Sequence, residues 1–304
     1  MLDRLADAIG RHCQGPWSET AVPRMSLVAL DELIEPVEVT YEPMICFIAD
    51  GAKRTAAGER SWVTPPGEMA LFTLDLPVTA AFEKVPYRAA VMRLDAEALA
   101  AVQMELDESG PPPPPAAAAA VTAPMAPELV DAVTRWIRLL DSPEDIRPLA
   151  PRIESEILYR LLRSPLGPVL CHWSLADSAA ARIRTVARWI CDHYTEPLGI
   201  DEIAERARMS PATLHRHFKA ATGMSPMRFQ KHLRLQEARR RLLAGDVTAA
   251  QVAQAVGYAS ATQFSREYRS AYGLPPGQDA ARLRARLTAA GQAPVLLDGS
   301  GAKP

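Results

Sequence analysis

The sequence predicts two domains: a mainly-β barrel or sandwich with flanking helices (α+β), then an all-α domain built on tandem helix-turn-helix units. Three observations carry that prediction. Six short β-favouring runs lie close together within residues 20–94. One helical pattern occurs twice in the C-terminal third, with its serines fifty residues apart. Charge is also split between the halves. Residues 1–178 hold 15 Lys+Arg against 26 Asp+Glu, a net of −11, and residues 179–287 hold 18 against 9, a net of +9. The near-neutral whole-chain balance, 34 basic against 36 acidic, conceals this asymmetry. At 304 residues the chain has room for about two domains.

The β-favouring runs are 26–30, 37–41, 44–49, 69–73, 78–83 and 88–94. Turn signals separate them at Asp50-Gly51, Ala57-Gly58-Glu59 and Pro65-Pro66-Gly67. Closely spaced short strands argue for a small barrel or sandwich. A helix is expected over 95–106. A proline and alanine run at 111–120 then reads as a stiff spacer or surface insertion. Apolar residues at 129, 130, 133, 136, 137 and 140 form a helical stripe, and a second stripe follows over 152–162. That helix pair would serve either as a dimerisation surface or as packing for its own barrel.

The basic half starts near Ala179, with helices expected over 182–194, 201–208, 211–221, 226–243, 249–256 and 260–271. Its repeat reads Ser-x-x-x-apolar-x-Arg-x-aromatic-[Lys/Arg]-x-x-x-Gly-x-x-Pro. The copies are Ser210, Leu214, Arg216, Phe218, Lys219, Gly223, Pro226 and Ser260, Phe264, Arg266, Tyr268, Arg269, Gly273, Pro276. At 100° per residue, Leu214 and Phe218 share one face, and Ala212, Arg216 and Lys219 fall opposite, with His215 at the edge. In the second copy Phe264 and Tyr268 bury, while Thr262, Arg266 and Arg269 face outward with Ser265 at the edge. Ser210 and Ser260 sit at N-cap positions, and Pro211 fits the first helical position. One such helix could be an ordinary amphipathic surface. Two in tandem, in a basic domain, suit the reading of successive major-groove turns of DNA. Lys231, Arg234, Arg239, Arg240 and Arg241 on the intervening helix read as a mostly solvated face, some of it within reach of phosphate.

Other classes find little support. No segment reaches transmembrane length, and the N-terminus lacks a signal-peptide core. Cys13, Cys46, Cys171 and Cys191 are scattered, so reduced thiols in a cytoplasmic protein are expected, with no metal site. Residues 1–178 carry no nucleophile elbow, phosphate loop or paired acid and base, so no catalytic residue is assigned. A barrel enzyme with an accessory DNA-binding domain and a sequence-indifferent architectural protein stand as the alternatives. Beyond about residue 285 the composition predicts a disordered tail.

Residues 200–278 resemble the AraC/XylS family of bacterial transcription regulators. The resemblance lies in "DEIAERARMSPATLHRHFKAATGMSPMRF" and "VAQAVGYASATQFSREYRSAYGLPPGQ". The second line holds the family's Gly-Tyr-x-Ser…Phe-Ser-Arg…Gly-x-x-Pro signature. "ETAVPRMSLVALDELIEPVEVTYEPMICFIADGAKR", "DLPVTAAF", "PYRAAVMRLD" and "LAPRIESEILYRLL" resemble the subgroup whose N-terminal domain is a cupin-like barrel. Where the family usually has Gln-Gly, this chain has Asp50-Gly51, and the barrel lacks the histidine cluster of metal-binding cupins.

The resemblance implies an effector and dimerisation domain over 17–170 and a DNA-binding domain over 179–284. The helix-turn-helix units would lie at about 200–221 and 249–271, with a tail at 288–304. Ala212, His215 and Arg216 would reach base edges in one major groove, and Thr262, Gln263, Ser265 and Arg266 in the next. Ser210, Lys219, Ser260 and Arg269 would meet the DNA backbone, the two serines also serving as caps. Cys46, Ile48 and Phe72 are the candidate effector-pocket residues. Implied partners are double-stranded DNA, RNA polymerase, a second copy of the chain and a small-molecule effector, with no cofactor and no membrane. A barrel that only dimerises is the alternative to sensing.

Overall fold

Six consecutive residues of one strand, Met44 to Ala49, are all buried. Such a strand must be covered on both faces. The computed structural model, which describes residues 1–106, 120–175, 178–245 and 247–289, shows how. Strands β1 (Trp17–Glu19), β2 (Met25–Leu30), β3 (Val37–Tyr41), β4 (Met44–Ala57), β5 (Arg60–Thr64), β6 (Glu68–Phe72), β7 (Leu76–Arg93) and β8 (Ala120–Pro124) form one antiparallel sheet. Its order is β1-β2-β7-β4-β6-β8, with β3 also on β7 and β5 also on β4.

The long strands β4 and β7 serve both halves of this sheet. Met44 through Ile48 pair with Arg93 through Ala89, beside β2 and β6. Lys53 through Ala56 pair with Phe82 through Thr79, beside β3 and β5. Register shifts between Ile48 and Lys53 mark the change from one half to the other. Gly51 has φ +72° there, and a Cβ on it would stand 2.5 Å from the carbonyl oxygens of Lys84 and Pro86. Asp50-Gly51 is therefore a bulge inside β4, not the turn expected from sequence. Likewise the runs 78–83 and 88–94 belong to the single strand β7. Strands β1, β5 and β8 were not assigned from sequence.

Alternation along β4 sorts its side chains into two cores. Met44, Cys46 and Ile48 face the inside of the folded sheet, with Val28, Tyr41, Phe72, Val78 and Tyr87. Ile45, Phe47 and Ala49 face the other way, against helices α1 (Leu2–His12), α2 (Ala96–Glu105), α3 (Pro127–Arg138), α4 (Pro143–Leu162) and α5 (Gly167–Ser174). Helix α1 contributes Leu5, Ala8 and Ile9 to that core from upstream of residue 17. The helix expected over 152–162 begins at Pro143 and runs through Pro148 and Pro151. Packing of Ala150, Ile157, Leu158 and Leu161 overrides the local proline penalty. The apolar stripes of α3 and α4 are buried within their own domain. Arg24 locks this layer, donating to Glu154 at 2.6 and 2.9 Å and to Asp95 at 2.8 Å.

The C-terminal half is helical throughout: α6 (Ala179–Asp192), α7 (Ile200–Arg206), α8 (Pro211–Thr222), α9 (Pro226–Ala244), α10 (Ala249–Ala255), α11 (Ala261–Tyr272) and α12 (Pro276–Ala289). Helix α12 was unassigned and runs into the segment expected as a tail, of which 290–304 lie outside the described residues. Residues 111–119 of the proline and alanine run also lie outside them, and Ala120 opens β8. No helix among the described residues is long and apolar enough to cross a membrane.

Candidate nucleic-acid interface and barrel cavity

Each helix-turn-helix unit is built from local rules. In the first, Arg208 takes the left-handed conformation (φ +51°) and Met209 N–H donates to the Ala204 carbonyl. In the second, Gly257 takes it (φ +84°) and Tyr258 N–H donates to the Ala253 carbonyl. This is the usual way to close a helix with a left-handed residue. The turns differ by one residue, because a single residue (Met209) separates Arg208 from Ser210, and Tyr258 and Ala259 separate Gly257 from Ser260. Gly257 cannot be replaced without rearrangement, since a Cβ there would lie 2.0 Å from the Thr195 carbonyl oxygen.

The second helix of each unit follows. Ser210 Oγ accepts from Thr213 N–H, and Ser260 Oγ accepts from Gln263 N–H, each at 3.3 Å. Both serines are therefore N-caps. Leu214 and Phe218 are fully buried against Phe229, and Phe264 and Tyr268 are fully buried against Val252 and Leu242. Ala212, His215, Arg216 and Lys219 are exposed on α8, and Thr262, Gln263, Arg266 and Arg269 on α11, with Ser265 half-buried. Gln263 is steadied by donating to Glu267 at 3.2 Å.

Helix α9 joins the units. Its nineteen residues extend about 28 Å at ~1.5 Å each. Two of its arginines, Arg234 and Arg239, are less solvated than sequence suggested. Arg234 donates to the carbonyls of Tyr194 and Glu196 and lies over the Tyr258 ring. Arg239 pairs with fully buried Asp279 at 2.9 Å and with Glu38 of β3 at 3.5 Å. Arg240 and Arg241 both pair with Glu237 one turn away on the same helix. The contacts of Arg234 and Arg239 arise between elements distant in sequence, where helical periodicity carries no information.

The folded sheet leans on the first unit. Gly58, at the β4–β5 turn, lies against Gly223 and Met224 at the end of α8, and Glu59 pairs with Arg228 at 2.9 Å. Glu59 and Arg60 share one groove with His215, Arg216 and Lys219. Nothing in the sequence linked a β-turn to a reading helix.

Inside the sheet lies a cavity walled by Tyr41, Cys46, Lys53, Phe82 and Tyr87, among others. Of the expected pocket residues, Cys46 lines it. Ile48 and Phe72 belong to the same apolar cluster and are not on this wall. Lys53 is 5% exposed and donates to the Tyr41 hydroxyl at 3.2 Å. Burial opposes its charge, and the hydrogen bond accepted by the Tyr41 hydroxyl favours it. Burial also pushes the Cys46 thiol and the Tyr87 phenol upward, so both stay protonated near neutral pH. The lysine was missed because it lies beyond the run 44–49, past the turn expected at Asp50-Gly51, where β4 in fact continues to Ala57.

A folded antiparallel sheet joined to paired helix-turn-helix units defines a two-domain protein of the bacterial regulator type. Residues 21–169 match the model of the AraC-type transcriptional regulator N-terminus, and residues 203–282 match a helix-turn-helix domain model. The chain belongs to the AraC/XylS family. It is 35% identical over 136 residues to the HTH-type transcriptional activator RhaS of Pectobacterium carotovorum subsp. carotovorum (strain PC1), covering 45% of this chain and 47% of that protein. RhaS of Escherichia coli O1:K1 / APEC is 26% identical over 148 residues, covering 49% and 53%. The chain thus spans about half the length of the curated relatives it matches. The crystal structure of unsaturated fatty acid bound wild-type ToxT from Vibrio cholerae strain SCE256 shares the fold. Its TM-score is 0.53 at 10% identity, over 88% of this chain and 96% of that one.

Proposed function

We propose that this chain is a sequence-specific DNA-binding transcription regulator acting as an activator, with the folded sheet as a sensing and dimerisation domain. The observation that carries the reading is the matched pair of exposed faces on α8 and α11. Each offers one arginine, Arg216 or Arg266, flanked by small or polar side chains and held by a buried apolar seam. An arginine fork satisfies guanine O6 and N7 together. Ala212 and His215 would flank the first contact, and Thr262, Gln263 and Ser265 the second. Lys219 and Arg269 would meet phosphates, which position without specifying sequence. As an activator it would engage RNA polymerase as a dimer, in the cytoplasm.

The test is genome-wide mapping of bound sites, followed by anisotropy titrations on an operator so identified. Preference for the operator over bulk DNA by about 10³ or more is expected. Equal affinity for both would leave only an architectural role.

A further inference from the structure

Lys53 is a buried cation without an anion. Its side chain finds the Tyr41 hydroxyl at 3.2 Å and, among the described residues, no ion pair. Its Nζ lies 5.2 Å from the Tyr41 ring centre and 5.9 Å from that of Tyr87. The Tyr87 hydroxyl is fully buried and has no hydrogen-bond partner. An ammonium and an unanswered phenol so deeply buried are costly unless something completes them. The rest of the wall is apolar at Val28, Met44 and Phe82 and also carries Glu42 and Glu19, the latter paired with Arg93 at 3.1 Å.

We propose that this cavity is the binding site for a small monocarboxylate, its carboxylate on Lys53 Nζ and the Tyr87 hydroxyl and its body against Met44 and Phe82. The inference rests on the sensing role proposed above. A cation would meet Lys53 as a like charge, and a neutral apolar ligand would leave the ammonium unpaired. The space open to the centres of water molecules is ≈ 40 Å³, room for about three waters, so the ligand is compact. Lys53 lies on β4, four residues before Ala57 at the strand's end, where the next residue, Gly58, meets Gly223 and Met224. Ligand binding therefore acts on the strand that touches the first reading unit.

The test uses the full chain with acetate, butyrate and benzoate, each beside its primary amide, in calorimetric titrations and thermal melts. At least one carboxylate should bind and raise the melting temperature, with its amide weaker by about tenfold or more. Lys53→Met, whose folding is checked by circular dichroism, should abolish that discrimination. Tyr87→Phe, which retains the ring, should weaken the carboxylate alone. Equal binding of acid and amide, unchanged binding in Lys53→Met, or no binding by any of the three acids overturns the site. Operator affinity measured with and without the acid separates the two readings. Binding of the acid with unchanged operator affinity upholds the site and removes the sensing role, and loss of acid binding with intact operator recognition removes the site alone.

Discussion

The two helix-turn-helix units repeat the same cap, the same buried pair and the same arginine, yet they lean on the rest of the molecule in different ways. In the first, Leu214, Phe218 and Phe229 join one continuous apolar cluster with Tyr41, Phe82 and Tyr87 of the sheet. In the second, Phe264, Tyr268, Val252 and Leu242 form a cluster of their own. That unit reaches the sheet through polar groups, with Tyr272 donating to Glu38 at 2.7 Å and Arg239 bridging Glu38 and Asp279. Apolar burial is non-directional and tolerates sliding, whereas a buried ion pair demands its geometry. A shift of β4 would therefore be felt by the first unit through packing, while the second stays fixed by a polar clasp.

The largest effect tests the separateness of the cores. Phe218→Ala and Phe264→Ala should each cost about 3–5 kcal/mol. Hydrogen exchange should show Phe218→Ala loosening β4 and β7 as well as α8, and Phe264→Ala loosening α10 to α12 alone. Equal spread from both would erase the distinction. Next, Arg239→Met leaves buried Glu38 without its cation and Asp279 with Arg282 alone, at a cost of about 3 kcal/mol. Denaturant titration should find that loss reduced at acid pH, where Glu38, its pKa raised by burial, takes up a proton.

Arg216→Ala and Arg266→Ala should each weaken operator binding by about 1–3 kcal/mol and leave folding unchanged. Indifference of binding to both changes would defeat the assignment of these helices as readers. Glu59→Gln removes an ion pair whose side chains are 65% and 50% exposed, so stability should change by less than about 1 kcal/mol. Any larger response to it in operator affinity would show that the β4–β5 turn bears on α8.

The smallest effect is a pH dependence. Burial, with Arg228 nearby, lowers the pKa of His232 in α9 below its ordinary 6.5. The unfolded chain then takes up the proton first, so stability falls as pH drops through 6.5 toward the folded value. His232→Gln should flatten that part of a stability-against-pH curve, and an unchanged curve would assign the slope to other groups.

Much of the DNA-facing half was legible because its features are local. Ser210 and Ser260 announce caps, and an apolar pair four residues apart defines a helical face without reference to the rest of the chain. The sheet was less legible. Asp50-Gly51 has the chemistry of a turn, and only its neighbours Lys84 and Pro86 make it a bulge. Strand β8 follows an alanine run whose composition carries no strand signal, and it is held by its ladder with β6. Arg239 looked solvated because a helix wheel cannot register Glu38 from a strand two hundred residues away.

The sequence by itself determined the paired helices, their caps, their outward arginines and the opposition of an acidic half to a basic one. All of these follow from chemical identity and a period of 3.6 residues. Tertiary structure decided the fold-over of the sheet, the burial of Arg239, the contact of Gly58 with the first unit and the placement of Lys53 in the barrel cavity. Those depend on which distant segments meet, and a charge acquires its cost or its purpose only from what surrounds it.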